Sequence, residues 1–159
     1  MNLNSRASFL IFAAILVLGI STVALKAQKS SDMDAARAAN QAFEAALLTR
    51  DIHAMETVWS QGPEVMVIHP SAKAVEIGWD AVKKSWEVAF GRFSELSATM
   101  KDPQVRVVGD AAWIVGVEEV KGKRASGEAI GYSALATNIF EKRGGRWVMV
   151  FHQVSRIPL

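Results

Sequence analysis

The chain has 159 residues, no cysteine and a formal net charge of +2. That length suits one domain plus an appendage, and the missing cysteine excludes both a disulfide-stapled scaffold and lipid attachment through cysteine. The positive excess is local: of 18 Lys and Arg, Arg6 and Lys26 precede Gln28, which leaves 16 against 16 Asp and Glu, so the remaining chain is neutral and lacks the electrostatic footprint of a nucleic-acid binder.

The appendage is at the front. Ser8 to Leu25 carries no charge, with Arg6 before it and Lys26 and Lys29 after it. A short basic start, an apolar run and small residues at Thr22, Ala24 and Ala27 read as a secretory signal over 1–27, which places the domain of residues 28–159 outside the cytoplasm as a periplasmic or secreted protein. The alternative is an uncleaved anchor, because the run is near the lower limit of spanning length. Any membrane tether is confined to residues 8–25.

Ser30 to Asp32 offers an N-cap, and a first helix is expected from there to about Arg50. Ala36, Ala39, Phe43 and Ala46/Leu47 form its apolar stripe, with Arg37, Gln41 and Glu44 on the wet face. Asp51 caps a second short helix whose stripe is Ile52, Met55 and Val58/Trp59. His53 lies off that stripe and reads as a surface residue. Gly62-Pro63 ends the helix. Glu64 to His69 is a short strand closed by Pro70, with Val65, Val67 and His69 on one face and Met66 and Ile68 on the other. Ser71 to Ile77 is a loop or short extension. Gly78 leads into a third helix, with Asp80 in the first turn, where a carboxylate suits the dipole. Its stripe is Val82, Trp86, Ala89/Phe90 and Phe93.

From Ser94 the period becomes two, with an interruption at Pro103 and a turn at Gly109-Asp110. Ala111 to Val120 is the next strand, and Lys121 to Gly127, including the basic Lys121-Gly-Lys-Arg124 cluster, reads as a solvated polar loop. The last stretch forms two strands around Lys142-Arg143-Gly144-Gly145-Arg146, where glycine makes positive φ cheap and a tight hairpin follows. Helices first and a long antiparallel meander after them define an α+β domain.

This order, the Gly78-Trp79-Asp80-Ala81-Val82 helix entry and the ending Gly145-Arg146-Trp147…His152-Gln153-Val154-Ser155 resemble SnoaL-like domains of the nuclear-transport-factor-2-like superfamily, which includes ketosteroid isomerase. The resemblance covers about Asp34 to Pro158. It implies a cone, a strongly curved antiparallel sheet wrapped around about three helices, with an apolar pocket at the open end. It says less about activity, because this superfold hosts enzymes and non-catalytic modules alike. Against the isomerase, the base position falls on His69-Pro70. The oxyanion tyrosine of the first helix falls on Phe43 in Phe43-Glu44-Ala45-Ala46-Leu47. The protonated acid falls in Ala136 to Asn138, which holds none. Both oxyanion donors are thus absent, at ~3 kcal/mol of transition-state stabilisation each, and the usual steroid-isomerase machinery is not expected.

His69 is the first candidate for chemistry, as a general base: an ordinary histidine titrates near pH ~6.5. His152 alternates with Val148, Val150 and Val154 on the face that the resemblance makes concave, where a polar group needs a partner. Glu119, alternating with Trp113, Val115 and Val117, is expected on the same side as an orienting or acid/base group. Asn138 sits across the hairpin from His152, and Phe43, Trp59 and Trp86 are expected on the pocket wall. Two histidines without a third ligand make a poor metal signature, so neither metal nor cofactor is expected. The sequence therefore suggests an exported domain binding a small apolar molecule, with isomerase- or dehydratase-like proton transfer as its chemistry. The alternative is a non-catalytic assembly module that homodimerises, as relatives do, through an outer sheet face bearing Ile114, Met149 and Phe151.

Overall fold

A computed structural model describes residues 3–158, with side chains described from Lys26 onward. The expected signal over 1–27 falls almost wholly outside those side chains. Helices α1 (Leu3–Thr49) and α2 (Ile52–Val58) precede strands β1 (Met66–Ile68) and β2 (Glu76–Ile77), then helix α3 (Trp79–Gly91) and strands β3 (Phe93–Val108), β4 (Ala111–Arg124), β5 (Ala129–Arg143) and β6 (Arg146–Arg156). The strands form one sheet in the order β2-β1-β6-β5-β4-β3. β1 runs parallel to β6, and every other pairing is antiparallel. The helices cover the inner face, as the α+β reading required.

The expected N-cap at Ser30–Asp32 is not used, because α1 runs straight through it. No glycine or proline lies between Leu25 and Asp34 to stop a helix. Asp32 instead accepts a 2.6 Å bond from Lys142 Nζ, tying α1 to the end of β5. The α1 stripe is as expected: Ala36, Phe43, Ala46 and Leu47 are buried. Asn40 lies on the same stripe and is buried too, and Glu44, expected on the wet face, is half-buried. Asp51 caps α2 by accepting the His53 amide at 2.9 Å.

Two devices curve the long strands. A bulge separates Lys101 from Gln104, with Asp102 at φ 44. Opposite it stands Gly116, where a Cβ would lie 2.7 Å from Met100 Cγ, so glycine lets the strands close on each other. The second bulge is in β6, where Ile139 pairs with Phe151 but Phe140 pairs with Met149, leaving Val150 extra. It reverses the in–out phase of the strand's first half. Trp147 and Met149 are buried together with Val150, His152 and Val154, so of the expected face of Val148, Val150, His152 and Val154 only Val148 is displaced, to a half-buried position. Met149 belongs to the core rather than the outer face.

The phase of β4 is also the opposite of the expected one. Ala112, Ile114, Glu118 and Val120 are buried, while Trp113, Val115 and Val117 are exposed on the outside. Ile114 is therefore a core residue. Lys121 to Arg124 is not a loop but the end of β4, and the turn lies beyond it, before β5. Phe43, Phe140, Met55, Ile114, Met149, Val65, Val67 and Val82 are the largest wholly buried apolar side chains and fill the space between helices and sheet.

Candidate functional site

At the open end of the cone the ends of α3, β4 and β6 and the segment after β1 surround a cavity of about 680 Å³. His69 and Ser85 form part of its wall, and Arg92, Arg124, Arg156 and Tyr132 stand around it. The His69 ring lies edge-on to Trp86 with centroids 4.7 Å apart, and Trp86 in turn packs against Phe43 and His152 at 5.8 and 5.6 Å.

The hydrogen bonds of His69 favour one tautomer. Ser85 Oγ donates its only proton to the Val82 carbonyl at 2.7 Å, so it can only accept from His69 Nε2, 2.9 Å away. The proton is then on Nε2 and the lone pair on Nδ1. Burial, then the charge of Arg92, lowers the pKa of His69 to about 4. The ring is neutral in ordinary buffers, an acceptor but a weak base: each unit below ambient pH costs ~1.4 kcal/mol of proton affinity.

Behind the Trp86 ring runs a buried polar chain that bridges sheet and helix. His152 Nδ1 donates to Asn138 Oδ1 at 2.6 Å, Asn138 Nδ2 to Asn40 Oδ1 at 2.6 Å, and Asn40 Nδ2 to Glu44 Oε1 at 3.0 Å. The Met100 amide donates to the same carboxylate oxygen at 3.0 Å. A carboxylate only accepts, so Glu44 orients every donor of the chain towards itself. Burial, then the neighbouring His69, lowers the pKa of His152 to about 3. His152, Asn138, Phe43 and Trp59 are all nearly or wholly buried and none lines the cavity. They support the cavity wall from behind, and Trp86, also absent from the lining, backs His69. The edge of the cavity is polar and cationic, with Lys84, Arg92, Arg124 and Arg156 beside the apolar Ala81, Val88, Ala89 and Phe93.

Glu119 is corrected as well. It lies on the outer face of β4 with its side chain 45% exposed and pairs with Lys101 at 3.7 Å. The inward acid is its neighbour Glu118, 2% exposed. Oε1 of Glu118 has no hydrogen-bond partner among the described residues. Burial, then the nearby Glu44 carboxylate, raises its pKa to about 7. Sequence reasoning missed Glu118, Asn40, Ser85, Tyr132 and the three arginines. Asn40 carried a usable signal, a polar residue in phase with Ala36, Phe43 and Leu47. The arginines carried none: each closes a different element, and only the topology gathers them.

Residues 36–159 match the family model of the SnoaL-like domain. The F-box protein SKIP8 of Arabidopsis thaliana is 28% identical over 116 residues, 73% of this chain and 47% of that protein, so the chain spans about half the length of that curated relative. A protein of the NTF2-like family from Streptomyces avermitilis, described as a candidate dehydratase, superposes with a TM-score of 0.73 at 21% identity over 82% of this chain and 99% of that one. A provisional calcium/calmodulin-dependent protein kinase type II association domain from Thiobacillus denitrificans gives a TM-score of 0.67 at 28% identity over 77% and 94% of the two chains.

Proposed function

The chain belongs to the SnoaL-like domain family, and from that premise we propose that it is an exported domain that binds a small molecule in the cavity at the mouth of the cone. His69 is the group placed to exchange a proton with the ligand. The observation that carries this reading is the His69–Ser85 pair on the cavity wall, bonded through Nε2, with His69 Nδ1 free of a hydrogen-bond partner among the described residues. The dehydratase description of the Streptomyces protein belongs to the same class of proton-transfer chemistry. A weakly basic histidine suits such a role once a bound ligand restores its basicity, because an anion beside the ring opposes the charge of Arg92. Export rests on the uncharged run from Ser8 to Leu25, and the intact mass of protein recovered from outside the cytoplasm reports whether and where it is cleaved. The pocket reading is tested by ligand-observed NMR against a small-molecule library. Hits for the wild type that are lost in His69→Ala support it, and hits unchanged in the variant refute it.

A second reading is assembly through the outer sheet face. Trp113, Val115, Val117 and Leu135 are 37%, 39%, 38% and 59% exposed there. Val117 is directly opposite Leu135, and Trp113 is opposite Ile139, so the side chains form one patch of a kind that favours a partner surface. The name of the Thiobacillus domain points the same way. Sedimentation of wild type as a dimer and of Val117→Glu as a folded monomer supports this reading, and a wild-type monomer at tens of micromolar ends it.

A further inference from the structure

The charge around the cavity is one-sided. Lys84, Arg92, Arg124 and Arg156 line it against a single carboxylate, Glu76. This surplus stands out in a domain whose charges balance from Gln28 onward. Outside the cavity, Arg143 pairs with Glu64 at 2.7 Å and with Glu141 at 2.6 Å, while Arg37 and Arg146 bond to the carbonyls of Pro103 and Thr57 without an ion pair among the described residues. Among the described residues, Arg92 and Arg156 have no carboxylate within ion-pair distance, whereas Arg124 pairs with Glu128 at 3.0 Å and Lys84 is 3.4 Å from Glu87.

Two of the guanidinium groups are also held in orientation. Arg156 lies over the Tyr132 ring at 4.0 Å and Arg124 over the Phe93 ring at 5.8 Å. Stacking fixes the plane of a guanidinium and leaves its in-plane N–H groups for a ligand. The backbone anchors are equally local: the Ala125 amide donates to the Arg92 carbonyl at 3.0 Å, and Ser94 Oγ to the carbonyls of Lys123 and Arg124 at 3.2 and 3.3 Å. The carriers of Arg92 and Arg124 are thereby tied together at one edge of the cavity.

We propose that this cavity binds a small organic carboxylate, its two oxygens held by the guanidinium groups of Arg92, Arg124 and Arg156 and its body directed towards His69. The proposal rests on the pocket reading above and specifies its ligand class. A planar two-oxygen anion matches guanidinium forks. Guanidinium forks also accept phosphate, but Arg92 is the C-cap of α3 and brings the negative end of that helix dipole to the cavity, which favours the singly charged carboxylate over a more highly charged phosphate. The apolar part of the wall, Ala81, Val88 and Ala89 on α3 and Phe93 beside it, suits an aliphatic or aromatic body.

The test is a matched panel of benzoate, phenylacetate, 4-phenylbutyrate and hexanoate with their primary amides and with inorganic phosphate, read by the side-chain NMR resonances of His69 and by titration at low ionic strength. At least one carboxylate is expected to shift His69 at millimolar concentration and to bind about tenfold more tightly than its amide. Arg156→Gln and Arg92→Gln should each weaken that carboxylate about fivefold or more, and Arg156→Lys, which keeps the charge but loses the fork, should fall between. Amides that shift His69 as well as their acids do would overturn the carboxylate class and leave the pocket reading standing. Phosphate that binds more tightly than every carboxylate overturns the class in the same way. Silence of His69 towards both acids and amides ends the proposal and the pocket reading together. Both glutamine substitutions are at solvent-exposed ends of elements, and an unchanged amide spectrum elsewhere confirms that the variants are folded.

Discussion

Replacing Glu118 by Gln should make stability less sensitive to alkali, so that the variant gains on the wild type as pH rises. Glu118 is 2% exposed, one of its oxygens has no partner among the described residues, and burial together with the Glu44 carboxylate raises its pKa from 4.5 to about 7. Because the folded-state pKa is raised, the native protein keeps a proton that the unfolded chain gives up. The associated stability is fully present below about pH 4.5 and is lost as pH rises to about 7. A shift of that size corresponds to ~3 kcal/mol at about 1.4 kcal/mol per unit. Glutamine has nearly the same shape and no ionisation, so it removes this loss. It also adds an amide N–H₂ group to a buried site, at a cost of about 1–2 kcal/mol that does not vary with pH. The informative quantity is therefore the difference between two conditions. Urea unfolding of both proteins at about pH 5 and about pH 8.5 should show the variant gaining ~2–3 kcal/mol relative to wild type between the two. A change below ~0.5 kcal/mol, or a gain towards acid, would refute the burial of an ionisable Glu118.

The histidines act in the opposite sense. Their folded pKa values are lowered to about 4 for His69 and about 3 for His152, so the stability linked to their neutral forms is present above about pH 6.5 and is lost as pH falls towards those values. His69 should titrate near pH 4 in a side-chain NMR experiment on the free protein, and a midpoint near 6.5 would contradict its burial. Asn138→Leu leaves the Nδ1 proton of His152 and Oδ1 of Asn40 without partners; a loss of ~2–4 kcal/mol in urea unfolding is expected, and an unchanged midpoint would mean that the chain is not closed as described. Asp51→Ala removes the cap of α2 and should cost ~1 kcal/mol in thermal unfolding, without effect on ligand binding.

The helices and the final hairpin were legible because their signals are local. Phe43 and Leu47 recur at helical spacing, Asp51 precedes a periodic run, and Gly144 and Gly145 take the positive φ that their turn requires. The phase of the long strands was not legible. In β4 the outward face carries Trp113, Val115 and Val117 while the inward face carries Ala112, Ile114 and Glu118, so the face richer in bulky apolar side chains is the outer one. Choosing the inside by hydrophobicity then selects Glu119 over Glu118. In β6 a single extra residue defeats any rule of strict alternation. The inner polar groups were half legible: His69, His152 and Asn138 were recognised as polar residues on covered faces, but their roles depend on Ser85 and Asn40, which approach from helices far away in the chain. The site's charge was illegible for a simpler reason. Arg92, Arg124 and Arg156 are evenly scattered along the sequence and meet only because α3, β4 and β6 end at the same rim.

The extra residue at Val150 makes length itself an encoded property of the last strand. No point substitution can erase a count, so the hairpin should tolerate many exchanges of side chain and very few insertions or deletions between Gly145 and His152. Loss of one residue there would leave His152 anchored to Asn138 while Trp147 and Met149 swung out to water and Val148 took an inner place. Comparisons across distant relatives should therefore be aligned from the His152 end and the turn end separately, with the gap placed at the bulge. A hairpin transplanted from a relative will seat its tryptophan inside only if it carries the same number of residues between turn and histidine.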